Sequence, residues 1–348
     1  MKTKDRIRAF LAAESGTTGK SLALRLGISR QALNVHLQEL IRQGLVVKEG
    51  VTRGARYRPP SATIHSPTWP RFRKEYALKG LQEDRVFDDI TRRTALARHI
   101  TPHAADIVRY VFTEMLNNAI DHSGSRVCRV NFELDDYSCA FQIRDFGIGL
   151  FASVSRKLNL PDEQSAIGEI LKGKTTTMPA RHTGEGIFFS SKAADSLAFR
   201  SHALTLLVDN QRKDVFISET RLFRGTEVSF RIRRKARRTL SAVFTEFAPE
   251  RHDYRFEKTQ VLVRLFQKDY ISRSEARRLL AGLDKFKELE LDFSGVSTLG
   301  QGFADEVFRV FAQAHPGIRI RVRHLRPGPG AILRHVVDNN TWQALTIS

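Results

Sequence analysis

The sequence of 348 residues predicts a multidomain α/β protein, and three observations carry that expectation. A helix-period segment around Glu114 and Asn118 is followed by a strand ending in Asp145-Phe-Gly147-Ile-Gly149. Helical stripes and a basic hairpin fill the first sixty residues. From about residue 252 short strands alternate with helices. Hydrophobic content of 41% with 27% charged residues describes a soluble globular chain, long enough for two or three cores. No apolar run approaches the length of a membrane span, and Met1-Lys-Thr-Lys-Asp-Arg6 lacks a signal-peptide core. A bacterial-type cytoplasm is therefore the expected location. Cys128 and Cys139 fall in neighbouring expected strands and read as buried reduced thiols, since two cysteines build no disulfide framework.

The net charge of +19 favours polyanionic partners. Within residues 1–60 there are 12 Lys/Arg against 4 Asp/Glu, so part of this charge is concentrated at the amino terminus. A second run, Arg231-Ile-Arg233-Arg234-Lys235-Ala-Arg237-Arg238, fits a solvated connector and a phosphate contact equally well.

Ile7, Phe10 and Leu11 mark a first helix, and Lys20 to Leu26 a second. Gly27-Ile28-Ser29 makes a turn in which Ser29 is placed to cap a third helix, Arg30 to Gln43. That helix buries Leu33, Leu37, Leu40 and Ile41, and its other side offers Arg30, Gln31, Asn34 and His36. Leu45 to Arg58 reads as a β-hairpin with a basic tip. The arrangement resembles a winged helix-turn-helix of the bacterial regulator type, spanning residues 1–60. The resemblance implies double-stranded DNA as partner. Arg30, Gln31 and Asn34 would face the major groove, and Arg53, Arg56 and Arg58 would meet phosphates or a minor groove. Paired half-sites would suit a homodimer. Residues 61–80, preceded by Pro59 and Pro60 and containing Pro67 and Pro70, have the composition of a linker.

On a helix, Glu114 and Asn118 share one face while Val108, Phe112, Met115 and Ala119 cover another. A carboxylate beside a carboxamide can hold Mg2+ through oxygen and activate a hydroxyl or water. The carboxylate of Asp145 can accept from an exocyclic amine. Thr183-Gly184-Glu-Gly186 and Arg224-Gly225-Thr226 follow in order. Together these motifs resemble the ATP-binding domain of the gyrase, histidine kinase and MutL superfamily, with a helix spacing most similar to the anti-sigma-factor serine kinases.

That resemblance implies a Bergerat-type α/β sandwich over residues 81–238 that binds ATP with Mg2+. Asn118 would be the metal ligand and Glu114 the general base, with Asn117 and His122 near the phosphates. Asp145 would accept from the adenine amine, with Thr226 completing the contact. Gly147 and Gly149 would shape the adenine side; Thr183, Gly184 and Gly186 would bring backbone amides to the phosphates. Phe151 to His182 would form a lid, with Lys172 and Lys174 as candidates for the γ-phosphate. Two departures stand out. Gly186 is followed by Ile-Phe-Phe, where histidine kinases usually carry another glycine, and no long helical hairpin surrounds His99 or His103 as a phosphoacceptor. Gly168 to Thr175 matches the P-loop pattern literally but lacks the flanking strand and helix, so the match is accidental.

Residues 250–348 resemble the STAS fold of anti-sigma antagonists, most closely the STAS-like domains behind such ATPase modules. Gln301 and Gly302 stand where antagonists carry a phosphorylated serine, which leaves Ser297 and Thr298 as substitutes or as ordinary turn hydroxyls. The domain reads as a docking element for a protein partner or as a sensor. The expected function is an ATP-responsive DNA-binding transcriptional regulator. The alternative is a serine/threonine protein kinase resembling the anti-sigma-factor kinases. Hydrolysis and phosphoryl transfer stay open.

Overall fold

A computed structural model describes residues 3–13, 16–50, 55–59, 69–174, 184–253, 255–265, 269–336 and 345–347. They fall into two units, Met1–Thr68 and Trp69–Ser348.

In the first unit, α1 (Thr3–Ala13), α2 (Gly19–Leu26) and α3 (Arg30–Arg42) bring their leucine stripes into one core with Val46 and Tyr57. Thr18 caps α2 by accepting from the Ser21 N–H at 3.4 Å, and Ser29 caps α3 by accepting from the Ala32 N–H at 3.1 Å. Gly27, at φ 66°, lets the chain turn between the two helices. The strand β1 (Thr17–Thr18) lies in a sheet with β2 (Val47–Glu49) and β3 (Arg56–Arg58), and β3 pairs antiparallel with both. Three helices and a hairpin make a winged helix. Its wing tip lies outside the described residues.

The second unit begins with β4 (Arg71–Ala77), inside the stretch expected to be a linker. It pairs antiparallel with β5 (Val127–Leu134) over its whole length, burying Phe72 while the intervening residues stay exposed. The prolines ahead of it dominate the local composition and hide the strand. The sheet continues through β6 (Ser138–Asp145), β7 (Ser196–Ser201), β8 (Leu204–Asp209), β9 (Asp214–Glu219) and β10 (Thr226–Arg233) in the order β4-β5-β6-β10-β7-β8-β9, all antiparallel. The helices α4 (Glu83–Thr94) and α5 (Pro102–His122) pack on one face. There the Phe112 ring meets Phe141 edge-on at 5.2 Å, and Phe141 stacks on Phe230 at 4.7 Å. Pro102 at the first turn and Thr101 as N-cap start α5. Cys128 and Cys139 are buried, free thiols.

Between β6 and β7 lie α6 (Leu150–Lys157), α7 (Glu163–Lys172) and α8 (Gly186–Ala193). Gly168 sits inside α7, so the literal P-loop pattern is mostly helix. After α9 (Leu240–Phe247) the chain forms a parallel sheet of β11 (Lys258–Leu262), β13 (Glu288–Asp292), β15 (Arg319–Arg323) and β16 (Leu345–Ile347), in that order. A short parallel pair joins β12 (Asp269–Tyr270) to β14 (Thr298–Leu299). Its helices are α10 (Arg273–Leu280), α11 (Gln301–Asp305) and α12 (Ala312–Ala314), with π-helical turns over Glu306–Phe311, and α13 (Pro327–Val336). Ser272 and Glu275 cap α10 reciprocally.

The parallel sheet and the antiparallel one share a continuous core, in which Phe256 packs on Phe188, Phe189 and Phe286. Three arginines at the end of β10 and beyond it are held within the unit: Arg233 pairs with Asp195, Arg234 donates to the carbonyl of His99, and Arg238 donates to the last carbonyls of α8. Lys172 is 2% exposed. Its ammonium donates to the carbonyls of Ala281 (2.9 Å) and Arg278 (3.4 Å) at the end of α10 and pairs with Glu169. The buried Thr259 hydroxyl donates to the Lys172 carbonyl at 2.5 Å. Replacing Lys172 by Met keeps the stem but strips the cation from these acceptors. The loss in unfolding free energy should be about 3 kcal/mol, read from urea titration of the full chain.

Candidate nucleotide site

Four-residue spacing along α5 places Glu114, Asn118 and His122 on the face that looks into a cavity of about 270 Å3. Asp145, Gly149, Gly184, Gly186 and Thr226 also line it, with the hydroxyls of Ser123 and Ser153. Ile143, Phe199 and Val228 from the sheet, with Leu150, Val154 and Ile170 from α6 and α7, supply an apolar wall. A pocket with one polar edge and an apolar slot suits a flat heterocycle.

Asp145 is 4% exposed. Its Oδ1 accepts from the backbone N–H of Gly147 at 2.9 Å and of Thr226 at 3.2 Å. Burial pushes its carboxyl above the ordinary value, and those two backbone bonds oppose the shift. The Thr226 hydroxyl accepts from the Leu150 N–H at 2.9 Å, tying β10 to the start of α6. Gly225 has φ 84°, and a Cβ there would lie 2.3 Å from the Asp145 carbonyl oxygen, so no other residue fits. Glu185, the N-cap of α8 between Gly184 and Gly186, has its carboxyl pushed up by burial.

Several expected residues lie elsewhere. Gly147 and Asn117 do not line the cavity. Gly147 instead closes the Asp145 loop against the end of α5: a Cβ there would lie 1.8 Å from the Ser123 carbonyl oxygen. Lys172 is engaged with α10. The Lys174 ammonium likewise donates to the Lys285 carbonyl at 2.9 Å, approaches Glu257 at 3.4 Å and sits over the Phe286 ring. Neither lysine lines the cavity. The carbonyl acceptors at the end of α10 and the carboxylate of Glu257 take their charge instead. Thr183 lies outside the described residues.

Sequence patterns did not reveal the serines that brace the site. The Ser123 hydroxyl donates to the Ala119 carbonyl and accepts from the Ser125 N–H, while the Ser125 hydroxyl accepts from the Phe146 N–H. His202 Nδ1 meets Glu163 at 2.6 Å, holding the start of α7 to the turn between β7 and β8. Neither arrangement follows a fixed spacing.

Among the described residues no group of three or more His, Cys, Asp or Glu could hold a metal alone. Mg2+ carried in on phosphates would need few protein oxygens. The Asn118 side chain lines the cavity with an oxygen that such a phosphate-bound cation would meet, beside the Glu114 carboxylate.

In the first unit Arg30, Gln31 and Asn34 are exposed on α3. Gln31 and Asn34 border a trough of about 300 Å3 shared with Lys20 and Tyr57. Arg56 donates to the Gly16 carbonyl at 2.7 Å and Arg58 to Glu49 at 2.6 Å, so both wing arginines already have contacts within the unit. Arg53 lies outside the described residues. Among the described residues no helix is long and apolar enough to cross a membrane.

Fold and site together define a multidomain protein that combines a winged helix, a histidine kinase-like ATPase domain and a STAS-like domain. Residues 85–208 match the histidine kinase-like ATPase domain, residues 9–56 the MarR family, and residues 275–328 a STAS-like domain of unknown function. No curated protein matches the chain at a significant level.

The buried Asp145 makes a testable demand on stability. Its raised pKa means that ionisation opposes folding once the pH exceeds the folded-state value, whereas below the unfolded-state value both states are protonated and the penalty vanishes. Asp145→Asn keeps an oxygen to accept both backbone bonds and removes the charge. The variant should melt above the parent at neutral pH, with the difference shrinking as the pH falls through the raised folded-state value and gone below about 4.

Proposed function

We propose that this protein is a DNA-binding transcriptional regulator whose occupancy of DNA responds to ATP. The observation that carries the reading is the lid: α6 and α7 wall the nucleotide cavity, while the end of α7 is tied to the STAS-like domain through Lys172. A ligand that drew the lid inward would have to loosen that tie or move the STAS-like domain with it. ATP then has a differential effect on two arrangements, which is what a ligand-driven switch requires. Swinging the population from one extreme to the other takes about 5.5 kcal/mol of preference.

In this reading ATP places its adenine against Asp145 and Thr226, with its phosphates near Asn118, His122 and the amides around Gly184 and Gly186. Mg2+ neutralises phosphate charge when bound, with Asn118 as its protein ligand. Glu114 orients and accepts a proton from the attacking hydroxyl or water. The output passes to the winged helix, where Gln31 and Asn34 read base edges by their carboxamides and Arg30, Arg56 and Arg58 contact phosphates. The STAS-like domain senses the lid and offers a protein partner its surface. Ser297 and Thr298 are exposed there, so a γ-phosphate arriving on a protein hydroxyl would identify a kinase instead.

The test is capture of fragmented genomic DNA by the full chain at physiological salt, with Mg2+·ATP and without nucleotide. A discrete fragment set whose occupancy changes with ATP is expected, and Asn118→Ala should abolish the change without altering the fragments chosen. Salt-sensitive, sequence-blind capture indifferent to ATP would contradict the reading. Asp145→Asn should weaken ATP at least about tenfold by removing a charged acceptor.

A further inference from the structure

Gly186 has a reason to be glycine that phosphate binding does not supply. It lacks a positive φ, so its backbone conformation would accept any residue. What a side chain there would displace is the carboxylate of Glu114. A Cβ on Gly186 would lie 1.9 Å from Oε2 of Glu114, 3.0 Å from its Cδ and 3.6 Å from its Cγ. Apart from its chain neighbours and the backbone of its own helix, nothing other than Glu114 comes closer than 3.6 Å.

Gly186 is the first residue of α8, and its N-cap Glu185 makes no side-chain capping bond. The Glu114 carboxylate therefore lies against the first turn of a helix, where backbone N–H groups lack partners within the helix and the dipole favours an anion. Tyr110 lies one turn earlier on α5. Its phenol is pushed up first by burial, then by the charges of Glu114 and Glu185.

We propose that Gly186 is a positioning residue for Glu114: the missing side chain at the head of α8 admits the carboxylate and fixes its direction. The proposal deepens, and rests on, the reading of Glu114 as the base at an ATP site. It assigns the second glycine of Gly184-Glu185-Gly186 to the carboxylate rather than to close approach of phosphate.

A double-mutant cycle in the full chain tests it, using wild type, Gly186→Ala, Glu114→Ala and the double variant. In the wild-type background Gly186→Ala should lower the melting temperature by at least about 3 °C. In the Glu114→Ala background the same change should be neutral or slightly stabilising, because alanine is the better helix former. With Mg2+·ATP, Gly186→Ala should cut single-turnover hydrolysis at least about tenfold while the ATP Kd stays within about threefold, the pattern of a displaced base. An equal melting loss in both backgrounds would overturn the proposal. So would an ATP Kd weakened about tenfold with unchanged turnover, which would return Gly186 to the phosphates. If wild type binds no ATP, the nucleotide reading fails, and the melting cycle still decides the contact.

Discussion

The buried ammonium of Lys172 is the interaction on which the arrangement of the second unit turns. A cation that is 2% exposed is tolerated only where acceptors surround it, and burial holds its pKa below the ordinary lysine value. Two carbonyls from the end of α10 and the carboxylate of Glu169 provide those acceptors. The end of a helix in the STAS-like domain is thereby satisfied by a lysine from the lid, and the lid's last turn is held by the STAS-like domain. Gly173, at φ 83°, then carries the chain past Phe256 at a distance no side chain would permit.

This tie gives the cavity its character. One wall, made by α5 and the sheet, belongs to the rigid core around Phe112 and Phe141. The opposite wall, α6 and α7, is fastened at its start by Glu163 to His202 and at its end by Lys172 to α10. A ligand entering between them works against contacts that belong to another domain. Coupling between domains then needs no long pathway, because the lid is itself the shared element.

Much of the site was legible in the sequence because its chemistry recurs at fixed spacing. Glu114, Asn118 and His122 share a helix face by arithmetic, and the strand ending at Asp145 announces itself by alternation. The C-terminal alternation of strands and helices, and the cap at Ser29, were legible for the same reason. What stayed hidden depends on tertiary neighbours. Lys172 and Lys174 in a lid read as phosphate ligands until the carbonyls of Arg278, Ala281 and Lys285 come into view. The arginine run after β10 reads as a charged surface until its acceptors at His99, Asp195 and the end of α8 are seen. The strand β4 was masked by neighbouring prolines, and the demand for glycine at position 186 comes from a side chain 72 positions earlier in the sequence.

The most direct test of the coupling is amide hydrogen exchange on the full chain, with and without Mg2+·ATP, followed in peptides covering residues 163–174 and 276–286. If the lid transmits nucleotide occupancy to the STAS-like domain, both peptides should change protection together, at ATP concentrations that match its Kd. A change confined to residues lining the cavity, with the end of α10 exchanging at the same rate throughout, would contradict the account.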